Sequence, residues 1–320
     1  MLDVRQLARL HLHRRLHHLV LNLAVPEAGG LPELRYRELA REIGPLGWLD
    51  VNGGEPFART DLVGVLAEFQ AQRLTLITPV HDVEAVLRGA RALVARRPRG
   101  LVLALQLDGL VATQDRLHGQ GSWDRVWAAF DELRELPLRV ELRTQVRTEN
   151  VDELLALVEY VRAQRPDGHV LGLANPSILG PSFARRLREL QTPVFDVLGR
   201  YAPEEGDVAG LAREVERLKW TTGLRTLEQG RQIIPCLAGL SQAVVRADGE
   251  VASCDTLPSI GSIARQPWSQ VWSGRALDAQ REYIRAGGCH CADDCALHDS
   301  VLLRPAHLPR LLAGAGGAST

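Results

Sequence analysis

The chain predicts an α/β fold, a barrel of parallel βα units followed by a small cysteine-rich α+β domain. Three observations carry this. Short apolar runs alternate with amphipathic helical stretches through the middle of the 320 residues. All five cysteines fall between Cys236 and Cys295. Between the first two of them, Val244–Val251 reads as a β-hairpin turning at Asp248-Gly249. Strands alternating with helices of this length imply parallel units with crossover helices.

In chain order, the strands are expected at Leu46–Val51, Leu74–Thr78, Leu101–Leu107, Val140–Val146 and Val170–Ala174. Helices are expected at Thr60–Gln72, Val83–Arg96, Trp123–Leu136 and Val151–Gln164. The last begins at a favourable start, Asn150-Val-Asp-Glu153, with a short polar cap and acids in its first turn. A charged helical bridge is expected over Pro203–Gln232, and a further helix over Ala276–Arg285. This gives a barrel over 1–202, a bridging segment over 203–235, a cysteine-rich domain over 236–312 and a disordered tail over 313–320.

Composition excludes several classes of function. Net charge is −1 and 45% of residues are hydrophobic, so nothing draws the chain to nucleic acid or to an anionic membrane. No apolar run is long enough to span a bilayer, and the N-terminus lacks a signal-peptide layout, which points to a cytoplasmic protein. Clustered cysteines in such a chain read as metal ligands before disulfides. Cys236, Cys254, Cys289, Cys291 and Cys295 are the candidate ligands, for iron–sulfur or, alternatively, for zinc. The hairpin folds the chain back, so that Cys254 returns towards Cys236.

Asn52-Gly53-Gly54-Glu55-Pro56-Phe57, directly after an apolar strand, is the strongest local motif. Two glycines allow close backbone approach, and proline fixes the turn after a carboxylate at the strand's C-terminal end. In α/β barrels that end carries the ligand site. The stretch resembles the Gly-Gly-Glu-Pro signature of the radical SAM enzymes, where it holds the methionyl amine of S-adenosylmethionine. Leu107-Asp108-Gly109, Asp115-Arg116-Leu117-His118-Gly119 and Thr144–Asn150 resemble further motifs of that family, in the same order. Cys236, twelve residues, Gly249, four residues and Cys254 resemble the opening of its SPASM/Twitch extension, and Cys289-His-Cys291-Ala-Asp-Asp-Cys295 its closing cysteines.

The resemblance implies a partial (βα)6 TIM-like barrel of radical SAM type. It also implies one auxiliary [4Fe–4S] cluster in the C-terminal domain, S-adenosylmethionine as a possible cofactor at Gly53, Gly54, Glu55, Pro56, Asp108 and Asn150, and a peptide or protein substrate. It fails where the family carries Cys-x3-Cys-x2-Cys, because no cysteine precedes Cys236. In one register Leu12, Leu16 and Leu19 replace the three cysteines; in another His11, Arg15 and His18 take the ligand spacings; in a third, Leu19–Val25 is the first strand and a Pro/Gly-rich connection replaces the cluster loop. Thr78-Pro79-Val80 replaces the family's Thr-Asn-Gly, and Gln106 its serine.

The expectation is a degenerate member that makes no 5′-deoxyadenosyl radical and acts as an accessory protein in peptide maturation, beside an active radical SAM partner enzyme. Alternatives are an enzyme using S-adenosylmethionine in polar transfer, and a cryptic radical enzyme whose cluster binds the N-terminal histidines. His11, His13, His17 and His18 are otherwise expected on the water-facing side of an amphipathic segment. Asp108, Asp115, His118 and His169 are weaker acid–base candidates.

Overall fold

Six strands form a continuous parallel sheet in the order of a partial barrel: β1 His18–Asn22, β2 Leu46–Asn52, β3 Ala71–Thr78, β4 Leu101–Gln106, β5 Arg139–Val146 and β6 Gly168–Leu173. The computed structural model describes residues 16–97, 99–173, 181–199, 208–292, 294–309 and 311. His11, His13, Ala174 and the tail over 313–320 lie outside them.

The connections are α1 Glu33–Ile43, α2 Leu62–Leu66, α3 Val83–Arg96, the pair α4 Val111–His118 and α5 Ser122–Leu133, and α6 Leu154–Ala163. Helices α7 Pro181–Leu198 and α8 Val208–Gln229 follow β6. The C-terminal region holds β7 Gln242–Val245, β8 Glu250–Ala252, β9 Gly261–Ser262, α9 Trp268–Val271, α10 Arg275–Arg285 and α11 Asp294–Leu302. None of the described helices is long and apolar enough to cross a membrane.

The strands alternate in character, and the alternation sorts the two faces of the sheet. Leu19, Leu21, Leu49, Val51, Leu74, Leu76, Leu103, Leu105 and Leu142 are buried in one apolar cluster with Tyr36, Leu39, Val86, Leu87, Phe130 and Leu133 of the helices. His18, Trp48, Asp50, Arg73, Glu141 and Arg143 occupy the intervening positions. The polar side chains of the strands therefore collect on the opposite face of the sheet, among Val20, Val102 and Ala104.

Most expected elements are present, with three corrections. The helix expected over Thr60–Gln72 is confined to Leu62–Leu66, because Ala71 and Arg73 pair with Leu46 and Trp48 in the sheet. The first strand is His18–Asn22, and His17 and His18 are about 1% exposed rather than in water. The hairpin forms as β7–β8 with a loop at 246–249 closed by Gly249 N donating to Arg246 O at 2.8 Å. Its first strand also pairs parallel with β1, His18 beside Gln242, so one nine-stranded sheet runs through barrel and C-terminal region.

Candidate functional site

The carboxyl end of β2 delivers Gly53-Gly54-Glu55-Pro56 to the rim of the barrel. Gly53 has φ +101° and its Cα faces Leu23, where a Cβ would lie 2.5 Å from the Leu23 nitrogen; Gly54 has φ +68° and open space around it. Only glycine adopts both backbone states without strain. Glu55 then caps the short 3₁₀ turn Pro56–Ala58 by accepting from Phe57 N at 3.1 Å. Its carboxylate also accepts from the Thr78 hydroxyl, 2.9 and 2.8 Å to the two oxygens, and from His81 N at 3.0 Å. Donors of the chain itself thus surround a group whose two oxygens offer about four acceptor positions.

The connection from β1 to α1, residues 23–32, contains no cysteine or histidine. It is drawn tight against the barrel by Arg59, three residues beyond Pro56. One guanidinium nitrogen of Arg59 donates to Ala24 O at 2.7 Å and Leu31 O at 3.0 Å, at opposite ends of the connection. Gly30 is folded so closely onto Ala24 that a Cβ there would overlap its carbonyl oxygen. The first strand and this Pro/Gly-rich connection match the third of the registers open in the sequence. A [4Fe–4S] cluster does not fit these residues, since its irons need thiolates.

Asp108 and Asn150 organise the rim between β4 and β5. One oxygen of the fully buried Asp108 accepts from Gln145 N at 2.7 Å; the other accepts from Gln106 Nε2 at 2.8 Å, lies 2.9 Å from His118 Nε2 and 3.4 Å from the Arg147 guanidinium. Asn150 Nδ2 donates to Asp108 O and Gln145 O at 2.7 and 2.9 Å, and its Oδ1 accepts from Arg147 N. Asp115 accepts from Gly121 N and Trp123 N, and these backbone donors hold its carboxyl below the usual range. His169 is buried outside the rim against Thr144, at 2.8 Å.

Inside the barrel, α11 lies on the polar face of the sheet. His18, Trp48 and Arg73 are register neighbours across β1, β2 and β3 and stack as a row: the His18 and Trp48 rings are 5.4 Å apart, and the Arg73 guanidinium lies 4.8 Å over Trp48. His298 of α11 meets Trp48 edge-on at 4.2 Å. Asp299 accepts from the Ser241 hydroxyl at 2.6 Å and lies 3.0 Å from His17 Nδ1. Burial pushes the Asp299 carboxyl up, but the His17 charge and hydrogen bond outweigh it and hold it below its ordinary value. Asp294 pairs with Arg143 at 3.3 Å and with Lys219 of α8 at 2.6 Å. Lys219, the chain's single lysine, is thereby buried yet held charged. Arg73 pairs with Glu141 at 2.6 Å. Burial, reinforced by the charges of Lys219 and Arg73, pushes His298 well below the ordinary histidine range.

The cysteines divide. Cys236 packs against the small cluster of Ala238, Cys254 and Leu257. Cys254 is buried, with its sulfur 3.1 Å from the Thr256 hydroxyl. Cys289 is partly buried, which raises its thiol, and Cys291 is buried with its N donating to Gln232 Oε1 at 3.2 Å. Cys295, in the first turn of α11, faces the barrel: its sulfur and ligand atoms of His18 and Asp50 all lie within 4.8 Å of one another. Among the described residues no three cysteine sulfurs come that close together. A single tetrahedral ion needs such closeness, whereas a cluster puts each thiolate on its own iron and spaces them further apart.

The interior network was missed from the sequence. Its signal was present as polar residues two apart in strands otherwise apolar: Trp48/Asp50, Arg73/Thr75 and Glu141/Arg143. A surface cavity lined by Leu16, Glu42, Pro45, Trp268 and Trp272 lies beside the amino ends of β1 and β2, away from the rim.

Residues 236–296 match the SPASM family, an iron–sulfur cluster-binding domain. The fold is similar to that of anSMEcpe with bound AdoMet, at TM-score 0.58 and 14% identity, over 93% of this chain and 98% of that one. It is also similar to SuiB of Streptococcus suis bound to its precursor peptide SuiA, at TM-score 0.58 and 13% identity, over 87% of this chain and 70% of that one. SuiB bound to S-adenosylmethionine gives TM-score 0.57 and 15% identity over 87% and 69%. No curated protein matches at the level of sequence. The six-stranded parallel partial barrel thus has a fold similar to that of the anSMEcpe and SuiB structures, and the region over 236–296 matches the SPASM iron–sulfur cluster-binding domain.

Proposed function

We propose that this protein is a degenerate radical SAM/SPASM member that binds a peptide or protein during its maturation and performs no 5′-deoxyadenosyl radical chemistry. The observation that carries the reading is the β1–α1 connection, which holds no thiolate and is tied down at both ends by Arg59. Reductive cleavage of S-adenosylmethionine draws its electron from an iron with an open site, and that chemistry belongs to the cofactor. The donors around Glu55 support the same reading, because Thr78 and two backbone N–H groups already share the carboxylate that a methionyl ammonium would need. The likeness to SuiB, solved with a precursor peptide, favours a peptide as the bound partner.

The C-terminal region would hold one auxiliary [4Fe–4S] cluster, for which the five cysteines offer a single set of four thiolates. There the cluster serves as a structural centre or as an electron conduit for an active partner enzyme. A cytoplasmic location goes with a redox-sensitive centre of this kind.

Anaerobic reconstitution followed by iron and sulfide counting tests the reading. About four irons per chain are expected, one cluster's worth, with no 5′-deoxyadenosine formed from S-adenosylmethionine under dithionite. Roughly eight irons, or turnover to 5′-deoxyadenosine, would overturn it.

A further inference from the structure

Asp50 is a buried carboxylate of the barrel whose ion-pair partner among the described residues is His18. It is 3% exposed; Oδ2 lies 3.3 Å from His18 Nε2, and Oδ1 has no hydrogen-bond partner. The other interior acids have direct contacts to more partners: Glu141 meets Arg73 and Arg139, Asp294 meets Arg143 and Lys219, and Asp299 meets His17, His18 and Ser241. A buried carboxylate oxygen without a donor is costly unless a cation stands against it.

The third group at that point is a thiol. The Cys295 sulfur comes within 4.8 Å of ligand atoms of both His18 and Asp50. Imidazole, carboxylate and thiolate suit a divalent first-row transition metal, and two anionic donors with a neutral imidazole balance its charge. Arg143 is close enough to feel the charges of both Asp50 and Cys295, while its own charge is met by Asp294. The three donors come from rigid elements, β1, β2 and the first turn of α11.

We propose that His18, Asp50 and Cys295 form a mononuclear zinc site inside the barrel, distinct from any iron–sulfur cluster. Binding would release the imidazole and thiol protons. It would also pin α11, and with it the C-terminal domain, to the first two strands. The assignment withdraws Cys295 from the cluster set and leaves Cys236, Cys254, Cys289 and Cys291, one complete set of four.

The test uses the full-length, iron-reconstituted protein and zinc alone. One zinc per chain should survive dialysis, and its X-ray absorption fine structure should show one sulfur at about 2.3 Å with nitrogen and oxygen at about 2.0–2.1 Å. A shell of three or four sulfurs, or no retained zinc, would overturn the proposal. Loss of one outer-shell partner already weakens metal sites about 10–100-fold, so Asp50→Asn and His18→Gln should weaken zinc at least about 100-fold, with iron content and circular dichroism unchanged. Undiminished zinc in both folded variants would overturn it as well. Cys295→Ser should keep its iron and lose its zinc; loss of iron would make Cys295 a cluster ligand instead. If no iron enters the protein at all, the cluster reading fails alone, because Asp50→Asn must still remove one equivalent of zinc.

Discussion

Arg59 and Asp61 form a two-pronged ion pair, Nε to Oδ1 at 2.9 Å and Nη2 to Oδ2 at 2.8 Å, which aims the third guanidinium nitrogen at the carbonyls of Ala24 and Leu31. The Arg59 side chain is fully buried, and its ring partner is Tyr36, 5.4 Å away. Breaking a buried pair by removing one member costs about 3–5 kcal/mol, and lysine cannot reproduce the fork. Both Arg59→Met and Arg59→Lys should therefore destabilise by about 3 kcal/mol in urea unfolding. Asp61→Asn, at a 30% exposed partner, should cost less. Equal, small losses in all three would show that the arginine does not fasten the connection.

The two glycines of the rim should respond differently to alanine. Gly54→Ala meets only its positive φ and should cost about 1–2 kcal/mol. Gly53→Ala also drives a Cβ into the Leu23 backbone, so its loss should exceed that of Gly54→Ala by at least about 1 kcal/mol. Denaturant midpoints of the two variants, compared at a common slope, decide the order.

Glu55 should matter more to stability than to S-adenosylmethionine. Glu55→Ala leaves the Thr78 hydroxyl and two backbone N–H groups without their acceptor and should cost about 2 kcal/mol. Calorimetry with S-adenosylmethionine should give no difference between wild type and variant. Tight binding by the wild type that Glu55→Ala abolishes would restore the carboxylate as an amine ligand and favour polar transfer chemistry.

His169 sets an acid limb on stability. Thr144 Oγ1 donates to Leu107 O at 2.6 Å and so accepts from His169 Nε2, while the buried Nδ1 has no hydrogen-bond partner. Burial pushes this histidine down to about 3. Its unfolded value is about 6.5, so between the two the unfolded chain binds the extra proton. Stability contributed by the neutral ring is complete above about pH 6.5 and falls on acidification by about 1.4 kcal/mol per pH unit until about pH 3. His169→Gln, which retains a donor to Thr144, should flatten the dependence in urea melts between about pH 4 and 7. An unchanged slope would place the acid sensitivity elsewhere.

The barrel was legible because its strands and helices have distinct periods. Leu101–Gln106 is apolar and bounded, and Val83–Arg96 repeats every three to four residues behind the Asp82 cap. Helix α1 has the same helical spacing in Tyr36, Leu39, Ala40 and Ile43, but no side-chain cap marks its start after Pro32. The Gly-Gly-Glu-Pro rim was found from local pattern, because its geometry is set by neighbours in sequence. The roles of its residues were not, because Thr78 at the end of the next strand and His81 just beyond it reach Glu55. The interior was hidden for the same reason. His17 with Asp299 and Arg143 with Asp294 are separated by 282 and 151 residues, and nothing local announces such partners.

The parallel pairing of β7 with β1 has a consequence for how this chain can change. A module merely tethered to a barrel can be trimmed, swapped or fused elsewhere; one that lends a strand to the barrel's open margin cannot. Cutting before Cys236 would strip β1 of its neighbour and bare a row of amide and carbonyl groups, an invitation to self-association. The C-terminal region therefore doubles as the hem of the barrel, and its place there follows from mechanical need.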